Sequence, residues 1–401
     1  MISFAEARAK ILAEIQPITQ TISCQVPQAL GRVLATPIQA TFNVPNHDNS
    51  AMDGYGIRSR DLNRNKETLL MVVADLPAGD KLTEPLKAGQ AVRIMTGAPL
   101  PDGCDCVVKQ EDVRWERDSL VIPTGMTTGQ NIRLAGEDIR AGTELFTPGR
   151  RLTPADLGLL TSLGLTEISV FEQLKVAVLS TGNELQPPGV PLPSGHVYDS
   201  NRPTLIAAVQ AMGLATIDLG LARDNLHEIR EALRIGSQTA NAVISSGGVS
   251  VGDYDLVKEV LEEQGNIHFW KVAMKPGKPQ AYGRLGNAAF FGLPGNPVSS
   301  LAVFLLMVRP ALLKMMGAAP EPIRAFKLPL KGDIHKHHER MDFYRGVVHY
   351  GPEGPWVTTT GAQGSGILSS MSQANAFIVL PESPVTIKSG ELVNVWMIDY
   401  A

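Results

Sequence analysis

The sequence predicts a multidomain α/β plus β chain: a central open, mostly parallel α/β sheet domain, a β-rich domain, a discontinuous helical and linker domain, and a C-terminal β-barrel-like domain. Three observations predict it. From residue 174 to about 317, near-continuous apolar strands alternate with amphipathic helices across turns rich in Gly, Asn or Asp, as a parallel sheet covered on both faces requires. On either side the texture changes to brief β-rich runs broken by Gly, Pro and Asp. Finally, 401 residues at 44% hydrophobic and 19% charged are more than one core holds.

The elements follow in order. Ser3 and Glu6 stand in capping-box spacing, and Phe4, Ile11 and Ile15 recur on one helical face, so residues 3–15 read as a short amphipathic helix. LLMVVADLPAG, AVRIMTGAP, CDCVVKQEDV and SLVIP read as strands of a β-rich domain, residues 44–133. In GEDIRAGTELFTPGRRLTPADLGLLTSLG a helix is expected to start near Pro154 and stop before Gly164. That stretch and the first helix form the discontinuous domain, residues 1–43 and 134–173. The α/β domain, residues 174–319, has strands KVAVLS, ATIDLGL, AVISSG, FWKVAM and AAFFGL, with helices carrying Leu205, Ile206, Val209 and Met212, then Leu226, Ile229 and Leu233. Pro297 behind Asn296 suits the start of a long helix ending near Gly317. In residues 320–401, FYRGVVHY, WVTTT, AFIVLP and LVNVWMI suggest a small barrel or sandwich.

Thirty-six Lys plus Arg against forty Asp plus Glu leave a net charge of −4, so nothing global draws nucleic acid or acidic lipid, and any anion is bound locally. Cys24, Cys104 and Cys106 form no disulfide framework, and C-x-C is not a zinc knuckle, which favours a reducing cytosol. Glu6, Arg8, Lys10 and Glu14 stand where a signal peptide needs an apolar block, and the longest apolar stretch, residues 298–308, contains serines and is short for a bilayer. A cytoplasmic chain without a membrane span is expected.

In an open α/β sheet, ligands bind beyond the carboxyl ends of the strands, where turn amides and helix N-termini present unpaired N–H groups. That rim collects Glu184, Asp224 and Asp255 with Lys275 and Lys278. In SSGGVSVG, Gly247, Gly248 and Gly252 lack side chains, so their amides suit an anion nest, the bland alternative being a tight turn that needs glycine. Lys275 and Lys278 flank Pro276-Gly277, with Lys271 upstream; this reads as an oxyanion clamp or as an exposed basic loop. Glu184, Asp224 and Asp255 offer hard oxygens to Mg²⁺, although Asn225 with Glu228 resembles a capping box and Asp253 or Asp255 suits a helix cap. LPGNP reads equally as a helix start, Asp53-Gly54 as a plain turn, and HKHHER as a solvated loop rather than a metal site.

Taken together, HDNSAMDGYG, IMTGAPLPDGCDCVVKQED, GQNIRLAGEDI, STGNEL, YDSNRP, ISSGGVSVGDYD, FWKVAMKPGKP and GLPGNPVSS resemble the molybdopterin molybdenumtransferases, enzymes similar to the E domain of gephyrin. The resemblance implies the last step of molybdenum cofactor synthesis: adenylylated molybdopterin is bound, molybdate reaches its dithiolene sulfurs, and AMP leaves in a Mg²⁺-dependent cleavage. It implies that Gly247, Gly248, Ser250 and Gly252 hold the pterin phosphate or adenylate, with Asn201, Pro294 and Pro297 also on the substrate. Glu184, Asp224 and Asp255 would surround Mg²⁺, while Lys271, Lys275, Lys278 and Ser299 line the oxyanion pocket. Arg345 with Ser365 or Ser369 look like further oxyanion contacts. It also implies a homodimer in which Asp53, Thr96 and Asp138 face the partner's α/β domain, and transient contact with the upstream molybdopterin adenylyltransferase. One departure is Asn183, where the family often carries Asp. The competing readings are a molybdopterin-binding scaffold or carrier, and a related adenylyltransferase sharing only the α/β domain.

Overall fold

The computed structural model describes residues 1–248, 257, 259–261 and 265–400. The chain divides into two compact units, one of Met1–Ala35, Pro148–Leu157 and Glu167–Ala401, the other of Thr36–Thr147 and Gly158–Thr166.

The smaller unit is built on a six-stranded sheet in the order Cys106–Lys109, Gly54–Ile57, Gln90–Ile94, Thr68–Leu76, Ser119–Ile122, Arg114–Glu116. Alternation splits its apolar residues between two faces: Tyr55, Ile57, Cys106 and Val108 pack in one cluster, Val92, Ile94 and Val107 in another. Gly54 opens a strand here rather than serving a turn. A Cβ at Gly54 would lie 2.0 Å from the Val108 carbonyl oxygen, so the strand pair closes only over a bare α-carbon.

In the larger unit a six-stranded sheet runs Ala215–Ala222, Lys175–Thr181, Ala242–Ser246, Ala288–Leu293, Pro279–Leu285, Gly265–Lys271. The first four are mutually parallel. Pro279–Leu285 is antiparallel to both of its neighbours, which leaves Gly265–Lys271 pointing the same way as the four. Val176, Val178, Ile244 and Phe291 pack on one face with Leu205, Val209 and Phe304, while Ala177, Leu179, Val243 and Phe290 pack on the other with Ile229 and Leu233. Both faces are therefore dry, which explains the unbroken apolar runs.

Helix ends follow their local chemistry. Ser3 Oγ accepts the Glu6 N–H at 3.1 Å, but the Glu6 carboxylate pairs with Lys10 at 2.9 Å, so only half of the box forms. Asn225 Oδ1 accepts from the His227 and Glu228 N–H groups, and the Glu228 carboxylate takes the Arg223 N–H at 2.9 Å. The helix from Pro154 stops at Ser162, before Gly164.

Four readings are corrected. FWKVAM is not one strand: Gly265–Lys271 belongs to the α/β sheet, whereas Met274–Lys275 joins the C-terminal sheet beside Met341–Gly351. The sequence reading passed over Pro279–Leu285, whose residues mix Gln, Tyr, Gly and Arg into the apolar pattern. The helix expected from Pro297 to near Gly317 does form, as Pro297–Met315 with a π-helical turn at Phe304–Val308, but its apolar stretch is not confined to residues 298–308: it is long and apolar enough to cross a membrane, yet 83% of its most apolar window is buried in the protein, as in a core helix. HKHHER is not simply solvated, because Ile334–Lys336 pairs with Val385–Ile387 and Lys336 is only 2% exposed.

In the C-terminal part, Gly354–Thr359, Met341–Gly351, Ala376–Leu380, Leu392–Met397 and Ala325–Pro329 pair in succession. A Leu330–Val357 bridge, with the Lys331 N–H on the Val357 carbonyl at 2.9 Å, closes the ring. Because Gly54 has no room for a methyl, Gly54→Ala is expected to cost the smaller unit roughly 1–3 kcal/mol, measured as a lower urea midpoint; an unchanged midpoint would mean the sheet absorbs the group freely.

Candidate functional site

Five strands end at one rim of the α/β sheet, and hydrogen bonds lace the loops that leave them. After Lys175–Thr181, the Asn183 N–H donates to Asp224 Oδ2 at 3.2 Å and Asn183 Oδ1 accepts the Asp224 N–H at 3.1 Å, tying this loop to the one after Ala215–Ala222. The amide at position 183 thus supports the turn in place of a carboxylate. Glu184 is exposed, and its carboxylate folds back over Gly182. Asp224 is likewise exposed.

Gly247 and Gly248 follow Ala242–Ser246 with φ of 91° and 66°. A Cβ on Gly247 would meet the Thr181 carbonyl oxygen at 2.5 Å, and one on Gly248 would meet Val257 at 2.2 Å. Glycine is required here by both conformation and space. Thr181 Oγ1, beside both glycines, is buried and has no hydrogen-bond partner among the described residues. Asn201 Nδ2 donates to Ser246 Oγ and to the Gly295 carbonyl, both at 2.7 Å, linking the start of the helix Asn201–Ala211 to the end of Ala242–Ser246 and to LPGNP. Pro294 is buried, and its carbonyl faces Ser246 Oγ at 3.5 Å. Ser250, Gly252 and Asp255 lie outside the described residues, as does Asp253.

Pro297 does open its helix behind Asn296, although the Asn296 side chain makes no capping bond. Ser299, in the first turn, is 4% exposed, and the Val298 N–H donates to the Ser365 carbonyl at 3.2 Å. Next to Ser365, the Gly364 carbonyl accepts Arg345 Nη2 at 3.1 Å, while Arg345 Nε donates to Ser370 Oγ at 3.0 Å. Arg345 is 1% exposed, and burial pushes its guanidinium down to about 10. Ser369 itself is exposed; the neighbouring Ser370, not singled out from sequence, is Arg345's hydroxyl partner.

Lys271 ends its strand opposite Pro279, and the Val272 N–H donates to the Lys278 carbonyl at 2.8 Å, so the lysine turn is closed on itself. Lys271 and Lys278 are exposed and Lys275 is half-buried. Lys275 pairs with Asp342 across the C-terminal sheet, and its Nζ stands 3.4 Å from His338 Nε2. Sequence reasoning missed Asp342, His338 and Lys336 as neighbours of this lysine, because a two-residue parallel pairing has no periodicity. It also missed Asp199, buried at 1%, which accepts from Ser180 Oγ at 2.9 Å and Arg202 Nε at 2.9 Å.

In the smaller unit, Asp53 Oδ1 accepts both the Thr96 N–H and the Thr96 hydroxyl at 2.7 Å. These bonds, the backbone one foremost, hold the Asp53 carboxyl below its ordinary value. Asp138 is exposed, with its N–H on the Val44 carbonyl at 3.1 Å. Among the described residues, no group of three or more His, Cys, Asp or Glu gathers as a cation site.

Three family descriptions match the chain: MoeA N-terminal region (domain I and II) over residues 2–164, probable molybdopterin binding domain over residues 177–314, and MoeA C-terminal region (domain IV) over residues 327–398. A molybdopterin molybdenumtransferase of Haemophilus influenzae is 41% identical over 399 residues, covering 98% of this chain and 98% of its own. The molybdopterin molybdenumtransferase 2 of Mycobacterium tuberculosis is 37% identical over 399 residues, covering 96% and 97%. Among solved structures, a molybdopterin biosynthesis moeA protein from Pyrococcus horikoshii OT3 aligns with a TM-score of 0.86 at 30% identity, covering 99% of this chain and 100% of that one.

The Asp53 contacts generate a titration test. Because the folded-state value lies below the unfolded one, their stabilisation is present above the unfolded-state pKa and is lost as pH falls through the depressed value. Thr96→Val removes the hydroxyl and keeps the N–H, so the Asp53 pKa should rise only part of the way to its ordinary value in a carbon-13 NMR titration; no rise would deny the hydroxyl any part.

Proposed function

Since the chain belongs to the molybdopterin molybdenumtransferase family and is a transferase, we propose that it inserts molybdate into adenylylated molybdopterin with release of AMP, giving molybdenum cofactor. The observation that carries this reading is the glycine cradle at Gly247 and Gly248, with the unpartnered Thr181 hydroxyl beside it, on the rim where five strands end. Without side chains the backbone amides come within reach of a phosphate, and Thr181 supplies a donor that lacks a partner among the described residues. Asn201 keeps LPGNP against the same rim, so Pro294 and Pro297 bound the substrate.

The oxyanion asks for different chemistry. Molybdate is a tetrahedral dianion, matched by Lys275, Lys278 and Lys271 as cations and by Ser299, Ser365 and Ser369 as neutral donors. Arg345, held by Ser370 and Gly364, adds a further positive charge to the proposed set. Glu184 and Asp224 offer carboxylate oxygens from adjacent tied loops, a hard donor set that fits Mg²⁺ sharing its shell with water and phosphate; Asp255 completes the proposed set, with Ser250 and Gly252 on the phosphate. When bound, the ion offsets phosphate charge. Asp53, Thr96 and Asp138 belong to the proposal as catalytic positions of a cytoplasmic homodimer.

Purified protein mixed with adenylylated molybdopterin, molybdate and Mg²⁺ should release AMP and yield cofactor that activates an apo-molybdoenzyme; a folded preparation that does neither sinks the reading. Lys275→Ala should lower cofactor formation roughly tenfold to a hundredfold, the worth of one charge-assisted contact, while circular dichroism stays unchanged. Turnover equal to the parent in the folded variant would remove Lys275 from the reaction.

A further inference from the structure

Behind Lys275 lies a buried group of charges that the reading above does not use. Asp342 has no exposed surface, and among the described residues neither carboxylate oxygen has a hydrogen-bond partner. His338 Nε2 stands 3.2 Å from Asp342 Oδ2 and 3.4 Å from Lys275 Nζ, while His338 Nδ1 is buried without a partner among the described residues. Lys336 fixes the main chain here, donating from Nζ to the His338 carbonyl and to the Ser383 carbonyl.

One ring nitrogen cannot serve both neighbours in one protonation state. A neutral Nε2 has a lone pair for the Lys275 ammonium and nothing to give Asp342; a protonated Nε2 donates to Asp342 and has nothing to offer Lys275. We propose that His338 is a positioning residue for the oxyanion site: when molybdate binds at Lys275, one proton from solvent joins His338 Nε2, the new N–H turns to Asp342, and Lys275 is released to the oxyanion. This rests on the reading of Lys275 as an oxyanion ligand. Only the N–H bond forms, and Nδ1 keeps its hydrogen.

The electrostatics favour the resting form before the anion arrives. Burial, then Lys275, Arg340 and Lys336, hold the His338 imidazole below its ordinary value. Burial pushes the Asp342 carboxyl up to about 6 against the pull of Lys275, Lys336, Arg340 and Arg345. A dianion at Lys275 offsets the surrounding cations and so raises the proton affinity of the ring. The sign follows from linkage: because the bound-state value exceeds the free one, molybdate binding is tightest at low pH and weakens as pH rises between the two, by up to about tenfold per unit.

The test is calorimetric titration of molybdate into the full chain between about pH 6 and pH 8, the range in which a histidine titrates, in buffers of different ionisation enthalpy. The parent should take up close to one proton per molybdate, and His338→Gln should bind molybdate without proton uptake and with a flat pH profile. Asp342→Asn should also diminish the uptake, which guards against a His338 variant that fails to fold. Lys275-dependent binding by the parent with no proton uptake, or full uptake in His338→Gln, overturns the inference alone. Parent-like binding in Lys275→Ala overturns the reading of the lysine pocket as well.

Discussion

Everything functional in the larger unit depends on strand direction. Five apolar strands run one way, with one antiparallel strand inserted, and both faces of the sheet are sealed by helices and side chains. A sheet dry on both faces has nowhere to place polar chemistry except at its ends, and shared direction sends those ends to one rim. Bonds between loops help to hold that rim: Asn183 with Asp224, Asn201 with Ser246 and Gly295, Gly247 with the Leu293 carbonyl. Small polar side chains thus do at the rim what apolar packing does inside.

The same economy appears in the buried charges. Asp199 is neutralised by Arg202 and Ser180, an arrangement in which each oxygen has a donor. Asp342 has none of that security, and Arg345 is held by a hydroxyl and a carbonyl rather than by a carboxylate. Leaving charge under-compensated in a dry setting costs stability, and such groups gather where charge must respond to a ligand.

Much of this was legible in the residues. Continuous apolar runs announced the covered parallel sheet, and Asn225, Pro154 and Pro297 marked helix starts that the structure also has. Clustered glycines pointed to the Gly247–Gly248 turn because a positive φ beside a neighbouring carbonyl leaves little choice of residue. Pro279–Leu285 escaped because Gln280 is buried through specific bonds to Gly277 and Met274 that no hydropathy pattern encodes. His338, Lys336 and Asp342 escaped for a related reason: their meaning depends on Lys275, more than sixty residues earlier, being paired beside them. Long-range register is decided by the packing of whole domains, and local sequence carries little trace of it.

The split of FWKVAMK between two sheets has a mechanical consequence. Lys271 is anchored in the α/β layer and Lys275 in the closed barrel, so the gap between their cations is gauged by two bodies at once. Substitutions deep in either body, far from the rim itself, therefore have a lever on the spacing of the two ammonium groups.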